Sequence, residues 1–194
     1  MTGYGKVTPE VVGVLQEIAG EVNVIHGDPE RMVGYAHDEV AGEEHVHMPD
    51  VVVKPGSAQE VAEIVRLANR ARIPVTPRGA GSGLSGGAVP VHGGILLSFE
   101  RMNRILEIDP ANMVVTVEPG VVTNDVNEAV AEYGLFYAGY PMSVESCFVG
   151  GNLAENAGGG RAIKYGVTGE YVLGLEVVLP TGEIVTLGGK RVKD

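Results

Sequence analysis

Two glycine-rich stretches set the strongest limit on what this chain can fold into. The first covers residues 77–87 and the second residues 141–160. Glycine supplies 29 of the 194 residues, about twice its usual share. Glycines this dense permit positive φ angles and close approach of the backbone to another group. Either stretch alone is equally consistent with a tight packing turn, but two of them together favour loops that lie against a ligand.

The charge balance restricts which ligands and partners are expected. The chain has 14 basic and 25 acidic residues, a formal net charge of −11, which argues against a nucleic-acid partner. An anionic ligand therefore needs backbone N–H groups and a few well-placed cations.

The single cysteine, Cys147, excludes an internal disulfide, and residues 1–6 have no apolar leader. The sequence predicts a cytoplasmic protein with no membrane span.

Local signals predict an α+β fold with a parallel lobe. Residues 51–53 are predicted to form a buried strand, and Ser57 opens a capping box for a helix. Residues 73–76 form the next strand, which leads directly into the first glycine stretch. This βαβ unit makes the sheet at least partly parallel.

Further elements are predicted on both sides of that unit. An amphipathic helix follows the N-cap Thr8 and places Val11, Leu15 and Ile18 on one face. Thr123 is predicted to cap a helix that runs through Tyr133. The remaining predictions are a short helix after residue 28, a strand at 94–99, and hairpins over 105–117 and 173–187.

Two well-known phosphate-binding loops are excluded by context. Gly81, Gly83 and Gly86 match G-x-G-x-x-G, but a Rossmann fold needs a helix to begin at that loop, and residues 86–94 have no helical period. A Walker loop is excluded because neither Gly-Lys pair, at 5–6 or 189–190, is followed by serine or threonine.

A few other residues carry weaker signals. His45 and His47 have ligand-like spacing but no third ligand nearby, so no metal site is predicted. Cys147 is interpreted as a small buried residue. The second half of the chain also has three aromatic residues, Phe136, Tyr137 and Tyr140. They either stack on a ligand ring or fill the core between the lobes, and we favour the core.

Four segments, taken in order and spacing, resemble the FAD-binding domain of the vanillyl-alcohol oxidase / p-cresol methylhydroxylase superfamily. They are residues 77–88, 118–120, 150–159 and 164–166. Within the superfamily the sequence is most similar to the flavoprotein subunit of glycolate oxidase and to D-lactate and D-2-hydroxyacid dehydrogenases. The resemblance extends from about Tyr35 to the end of the chain. It also includes Glu118, which by motif membership alone is a candidate for the adenosine end.

The resemblance implies a two-lobed FAD-binding domain of the p-cresol methylhydroxylase type, with a small parallel βαβ lobe and a mixed or antiparallel lobe. Residues 1–46 are then an N-terminal helical segment and residues 47–194 the FAD-binding domain. FAD would lie between the lobes, with its pyrophosphate wrapped by the first glycine stretch and its flavin side lined by the second. The implied cofactor-binding residues are Pro77, Arg78, Gly79, Ala80, Gly81, Ser82, Gly83, Leu84, Pro119, Gly120, Pro141, Ser143, Ser146, Gly150, Gly151, Asn152, Ala154, Asn156, Ala157, Gly158 and Gly159.

The mode of FAD attachment follows from one comparison with the superfamily. Some members bind flavin covalently through a histidine just after the arginine of the first loop. Residues 79–82 contain no histidine, so non-covalent FAD is expected.

The two glycine stretches also predict the effect of a substitution. Replacing Gly81 or Gly151 by valine is expected to weaken FAD binding, because it places a branched side chain where the ligand approaches.

The implied activity is oxidation of a 2-hydroxy acid, such as glycolate or D-lactate, by hydride transfer to flavin N5. Electrons would pass to an iron–sulfur or electron-transfer-flavoprotein partner. The superfamily's substrate-side residues lie in a later cap domain, so no catalytic residue is assigned, and a chain ending at residues 193–194 is predicted to be a fragment or one part of a split enzyme. Two alternatives stay open: a non-catalytic FAD-binding module, and a flavoenzyme of the same fold for another substrate, such as an enolpyruvyl sugar or an alkyl ether precursor.

Overall fold

The computed structural model describes residues 3–190, and the chain divides into two compact units. Unit 1 is Met1–Arg101 with Glu176–Val185, and unit 2 is Met102–Leu175 with Thr186–Asp194. The predicted domain boundary at residues 46 and 47 stays a prediction. Residues 1–2 and 191–194, which include the predicted end at 193–194, lie outside the described residues.

Short helices and strands make up both units. The α-helices are α1 (Pro9–Ala19), α2 (Pro29–Met32), α3 (Ala58–Ala71), α4 (Thr123–Ala131), α5 (Val149–Glu155) and α6 (Ala162–Tyr165). The strands are β1 (Val24–Ile25), β2 (Val51–Val53), β3 (Val75–Arg78), β4 (Ile95–Ser98), β5 (Ile105–Asp109), β6 (Val114–Val117), β7 (Gly174–Val178) and β8 (Ile184–Gly188). Within residues 3–190, no helix has both the length and the apolar character needed to cross a bilayer.

A four-stranded sheet with the order β1-β2-β4-β3 forms the centre of unit 1. β2 and β3 both pair parallel with β4, so that Val52 and Thr76 lie on either side of Leu96, while β1 is antiparallel to β2. The parallel βαβ unit is therefore confirmed, with β4 inserted between its two strands. All four residues of β4 are buried, as expected for a central strand that is covered on both faces.

The N-caps predicted for the helices of unit 1 are confirmed. The Thr8 side chain accepts from the N–H of Val11 at 3.4 Å, and Ser57 Oγ accepts from the N–H of Glu60 at 3.2 Å. Glu60 Oε2 in turn accepts from the N–H of Gly56 at 2.8 Å. Each of these bonds satisfies a donor at a helix start that has no partner within the helix.

The buried face of α1 differs from the predicted one. Val12, Leu15 and Ala19 are buried, whereas Val11 and Ile18 are only partly covered. The helix carries apolar residues in adjacent pairs, so its spacing is compatible with two neighbouring faces. Packing in unit 1 selects between them.

The predicted hairpin of unit 2 is present as β5 and β6, which pair antiparallel. Asp109 closes the turn by accepting from the N–H of Asn112 at 3.1 Å, and Met113 takes a positive φ of 55°. The second predicted hairpin is the two-stranded sheet of β7 and β8. Its turn uses Gly182 at φ +79°, a conformation that glycine adopts without strain.

Thr123 does not cap α4, and that prediction is wrong. The N-cap is Val122, and Thr123 is the first helical residue, fully buried. Its hydroxyl donates to the carbonyl of Cys147 at 3.1 Å and accepts from Asn152 Nδ2 at 2.6 Å. Burial thus gives the hydroxyl partners distant in the chain in place of the local N–H groups of a cap. The helix also ends at Ala131, earlier than predicted.

The helix α5 was not predicted, because it begins within the second glycine stretch. Each glycine inside a helix costs about 1 kcal/mol relative to alanine, so local propensity favours a loop. The neighbouring chain stabilises the first turn: Val149 donates its N–H to Val121 O at 2.9 Å, and Gly150 donates to Pro119 O at 2.8 Å. Tertiary hydrogen bonds therefore satisfy two donors that have no partner within the helix.

Candidate cofactor site

The first glycine stretch begins where β3 ends in unit 1. Pro77 and Arg78 are the last residues of that strand, and the residues from Gly79 onward form the loop. β2, β3 and β4 run parallel, so their carboxyl ends meet at one edge of the sheet. In open parallel sheets, ligands bind at this edge.

The backbone of the loop offers several hydrogen-bond donors without a protein acceptor. Among residues 3–190, no acceptor binds the N–H groups of a set within the loop, namely Gly79, Ala80, Gly81, Gly83 and Leu84. Gly81 has a positive φ of 75°, which is typical of loops whose successive N–H groups form an anion-binding concavity. The loop thus has the donors that a phosphate requires.

Arg78 lies under the loop and is 6% exposed. Its Nη1 donates to His37 O at 2.6 Å and its Nη2 to Gly34 O at 3.0 Å. Burial lowers the pKa of the guanidinium, and the negative charge of Asp38 opposes that effect. The side chain therefore holds two backbone carbonyls of the preceding segment.

Gly81 packs directly against the Arg78 side chain. A Cβ built on Gly81 would collide with Arg78 Nη2 and lie 2.8 Å from Nη1. The absence of a side chain at position 81 is therefore required by protein packing, independently of any ligand.

A polar cluster lies at the same edge of the sheet and was missed by the sequence reasoning. Glu100 accepts from Tyr35 Oη at 2.7 Å, from Lys54 Nζ at 2.6 Å and from Ser98 Oγ at 2.7 Å. Burial opposes ionisation of Glu100, but the hydrogen bonds from Lys54, Tyr35 and Ser98 outweigh it and lower the pKa. The signal was present: Lys54 directly follows β2, and Ser98 ends β4.

In unit 2, the structure brings two of the resembling segments together. Gly150 donates its N–H to Pro119 O at 2.8 Å, and a Cβ on Gly150 would lie 2.6 Å from Pro119 Cβ. Gly120 donates to Met102 O at 2.7 Å. The start of α5 and the residues after β6 therefore form one packed region in which the glycine allows close backbone approach.

Gly151 and Asn152 have different surroundings within α5. A Cβ on Gly151 would meet no protein atom within 4 Å. Asn152 is 4% exposed and donates its side-chain amide to Thr123 Oγ1 at 2.6 Å. The open position is thus Gly151, while the Asn152 side chain holds α5 against α4.

The residues after α5 are held by the segment near Thr168. Asn156 adopts a left-handed conformation with φ 50°, and its Oδ1 accepts from the N–H of Gly169 at 2.8 Å. Ala157 O accepts from Thr168 N at 3.0 Å and from Thr168 Oγ1 at 2.7 Å. Ala154 and Gly158 are exposed.

The remaining predicted residues of unit 2 lie before α5. Pro141 is buried, Ser143 is half-buried and Ser146 is exposed, with Ser146 Oγ donating to Ser143 O at 3.3 Å. Gly159 approaches this segment, since a Cβ on it would collide with Tyr140 O. The predicted cofactor residues therefore form two groups, one in each unit, and their assignment to FAD stays a prediction.

Three weaker candidates have structural surroundings that argue for other roles. Glu118 pairs with Arg104 at 2.7 Å, and this hydrogen bond lowers the pKa of the carboxyl group. His45 is exposed in a 3-10 helix, and within residues 3–190 no three acidic, histidine or cysteine side chains are grouped for metal binding. Phe136 is 55% exposed, so the prediction that it fills the core is wrong.

Comparisons with known proteins agree with the cofactor that the family resemblance implies. The family model described as FAD binding domain matches residues 49–188. An FAD-linked oxidoreductase of Mycobacterium tuberculosis is 48% identical over 95% of this chain and 39% of its own length. Glycolate oxidase subunit GlcD of Bacillus subtilis is 44% identical over 97% of this chain and 39% of its own length. A D-lactate dehydrogenase of Anaerostipes hadrus is 47% identical over 95% of this chain and 38% of its own length. This chain thus spans about two-fifths of the length of these relatives.

Solved structures show the same fold. An alkyldihydroxyacetonephosphate synthase matches with a TM-score of 0.82 and 25% identity, over 97% of this chain and 35% of the other. p-Cresol methylhydroxylase with bound substrate matches with a TM-score of 0.78 and 27% identity, over 93% and 36%. The chain therefore belongs to the FAD binding domain family, with FAD as its cofactor and the α+β fold of p-cresol methylhydroxylase.

Proposed function

We propose that this chain is the FAD-binding portion of an oxidoreductase and that the backbone of the first glycine loop binds the FAD pyrophosphate. The observation that carries the proposal is the set of loop N–H groups that have no acceptor within residues 3–190, namely those of Gly79, Ala80, Gly81, Gly83 and Leu84. A pyrophosphate supplies acceptors for such donors. In a chain of net charge −11, main-chain donors bind an anion without a cluster of basic side chains.

The open glycines support the same proposal. A Cβ on Gly83 in the loop, or on Gly151 in α5, would meet no protein atom within 4 Å. Protein packing therefore does not require glycine at either position, whereas close approach of a ligand to the backbone does. We assign Gly83 to the pyrophosphate side and Gly151 to the flavin side.

FAD would be held non-covalently, because residues 79–82 provide no histidine. When bound, FAD supplies the ring that accepts the hydride. The chain's own residues bind and orient it: the loop donates hydrogen bonds, and Arg78 acts indirectly by holding the backbone under the loop.

For the substrate we propose a 2-hydroxy acid of the glycolate or D-lactate type. The support is similarity to glycolate oxidase subunit GlcD and to D-lactate dehydrogenases; a D-2-hydroxyglutarate dehydrogenase of Xanthomonas citri pv. viticola is also 42% identical over 75% of this chain. We further propose an iron–sulfur or electron-transfer-flavoprotein acceptor and a cytoplasmic location. No residue of this chain is assigned to proton transfer.

FAD titration of the purified chain and of Gly151→Ala tests the binding proposal. Alanine in place of a helical glycine is expected to stabilise the apoprotein by about 1 kcal/mol. The same methyl group is expected to weaken FAD binding by about tenfold or more, because it lies where the cofactor approaches. Thermal unfolding and flavin fluorescence measure the two opposite effects.

Gly13→Ala is the matched control. Gly13 is also helical, in α1, with no atom within 4 Å of a built Cβ. This variant should gain similar stability and bind FAD as the unaltered chain does. Failure of the unaltered chain to bind FAD contradicts the proposal, and undiminished binding by Gly151→Ala contradicts the placement of the flavin side.

Loss of flavin absorbance under anaerobic conditions shows whether an acid reduces the bound FAD, and so distinguishes an FAD-binding portion of an enzyme from a non-catalytic module. With no proton-transfer residue assigned, we expect the FAD-loaded chain to be reduced by dithionite but not by glycolate or D-lactate. A longer protein that contains this chain together with substrate-side residues is expected to be reduced by one of them. A non-catalytic module, which is the alternative, predicts no reduction by either acid in both proteins.

A further inference from the structure

The segment of residues 34–40 contacts the first glycine loop, although it precedes the region that matches the family model, residues 49–188. The core of unit 1 holds this segment in place. Met32 and Ala36 are buried, and Met32 lies in a cluster with Val52 and Leu96, against which Tyr35 packs. Apolar contacts with the sheet therefore hold the start of this segment in place.

Asp38 connects this segment to the loop. Its side chain is 5% exposed, with Oδ1 accepting from the N–H of Val40 at 2.9 Å and Oδ2 from the N–H of Gly86 at 2.8 Å. The next residue, Glu39, donates its N–H to Gly83 O at 3.0 Å. Two peptide groups of the loop are thus bound to adjacent residues of the segment.

Arg78 completes the connection from the opposite direction. It donates to Gly34 O and His37 O. The segment is therefore bound both to the end of β3, through Arg78, and to the loop, through Asp38 and Glu39. The charges of Asp38 and Arg78 also interact. The loop therefore has little net charge from these two side chains and offers mainly backbone donors to a ligand.

We propose that Asp38 is a positioning residue for FAD: it binds the Gly86 amide, and so holds the loop with its remaining N–H groups directed to the cofactor. This inference rests on the proposed function of the loop. Without the carboxylate, Gly86 and Val40 lose their acceptor, and the loop gains conformational freedom that FAD binding must remove. The cofactor site accordingly includes residues outside the family-matched region.

Asp38→Asn tests the proposal, because it preserves size but can offer only one acceptor oxygen to the two N–H groups. We expect FAD affinity to fall by about tenfold and amide exchange at Gly86 in the FAD-free protein to rise by about tenfold.

Asp50→Asn is the matched control. Asp50 Oδ2 also accepts from the N–H of a glycine, Gly94, at 2.8 Å. This pair lies in the same unit, at the amino end of β4. That variant is expected to retain normal FAD affinity.

The outcomes separate this inference from the proposed function. A general structural role of Asp38 predicts that both variants change the FAD Kd to the same extent, measured where circular dichroism shows both to be folded; that result overturns the inference. Unchanged exchange at Gly86, or unchanged FAD affinity in Asp38→Asn, overturns it as well. If the unaltered chain fails to bind FAD, the proposed function fails and the inference with it.

Discussion

Replacing Arg78 by methionine is expected to lower the free energy of unfolding by about 3–5 kcal/mol and to abolish measurable FAD binding. Methionine fills much of the same volume but donates no hydrogen bonds. The carbonyls of Gly34 and His37 would then be left without the guanidinium that binds them. Urea unfolding measures the first effect, and FAD titration below the unfolding midpoint measures the second.

Two further arginine variants show whether charge or hydrogen-bond geometry is responsible. Arg78→Lys retains the charge but lacks the planar fork that reaches two carbonyls, so an intermediate loss of stability is expected. Arg70→Met alters an exposed arginine of α3 and is expected to change stability by no more than about 0.5 kcal/mol. Equal losses for Arg78→Met and Arg70→Met contradict the role assigned to Arg78.

Gly81→Ala is expected to destabilise the apoprotein by about 3 kcal/mol and to weaken FAD binding. Gly81 has φ +75°, which disfavours any side chain, and a Cβ there would collide with Arg78 Nη2. The sequence predicted that a side chain at position 81 would weaken FAD binding by clashing with the ligand. The structure instead shows that it would clash with Arg78. The added atoms displace Arg78 from under the loop before they meet any ligand.

Two other glycines of the same loop separate these causes. Gly86 also has a positive φ, of 77°, but a Cβ there would meet nothing within 4 Å, so Gly86→Ala isolates the backbone strain of about 1–2 kcal/mol. Gly83 has neither strain nor a close neighbour, so Gly83→Ala is expected to leave apoprotein stability nearly unchanged and to weaken FAD binding alone. If all three variants lose the same stability, the collision with Arg78 does not matter.

Local chemistry made much of the fold predictable from the sequence. Thr8, Ser57 and Asp28 each precede a helix and accept an N–H group of its first turn. Asp109 and Gly182 lie in turns whose conformations these residue types favour. Such signals act over three or four residues, so they do not depend on the rest of the chain.

The candidate site was predictable only in part. The position of the first loop after a strand followed from the pattern of apolar residues and glycines, and the order of the motifs indicated the family. The partners of Arg78, the role of Asp38 and the cluster around Glu100 did not follow. Each joins segments that are far apart in sequence, such as His37 with Arg78 or Lys54 with Glu100.

By itself, then, the sequence determined the helix starts at Thr8, Asp28 and Ser57, the hairpin turns, the buried strands and the glycine loops, because each depends on backbone preferences and hydrogen bonds within a few residues. Only the tertiary structure decided that β4 lies between β2 and β3, that Thr123 is buried and not a cap, and that α5 forms despite its glycines. The reason is that buried polar groups must find partners wherever packing places them. Those partners are set by the whole fold and not by neighbours in the chain.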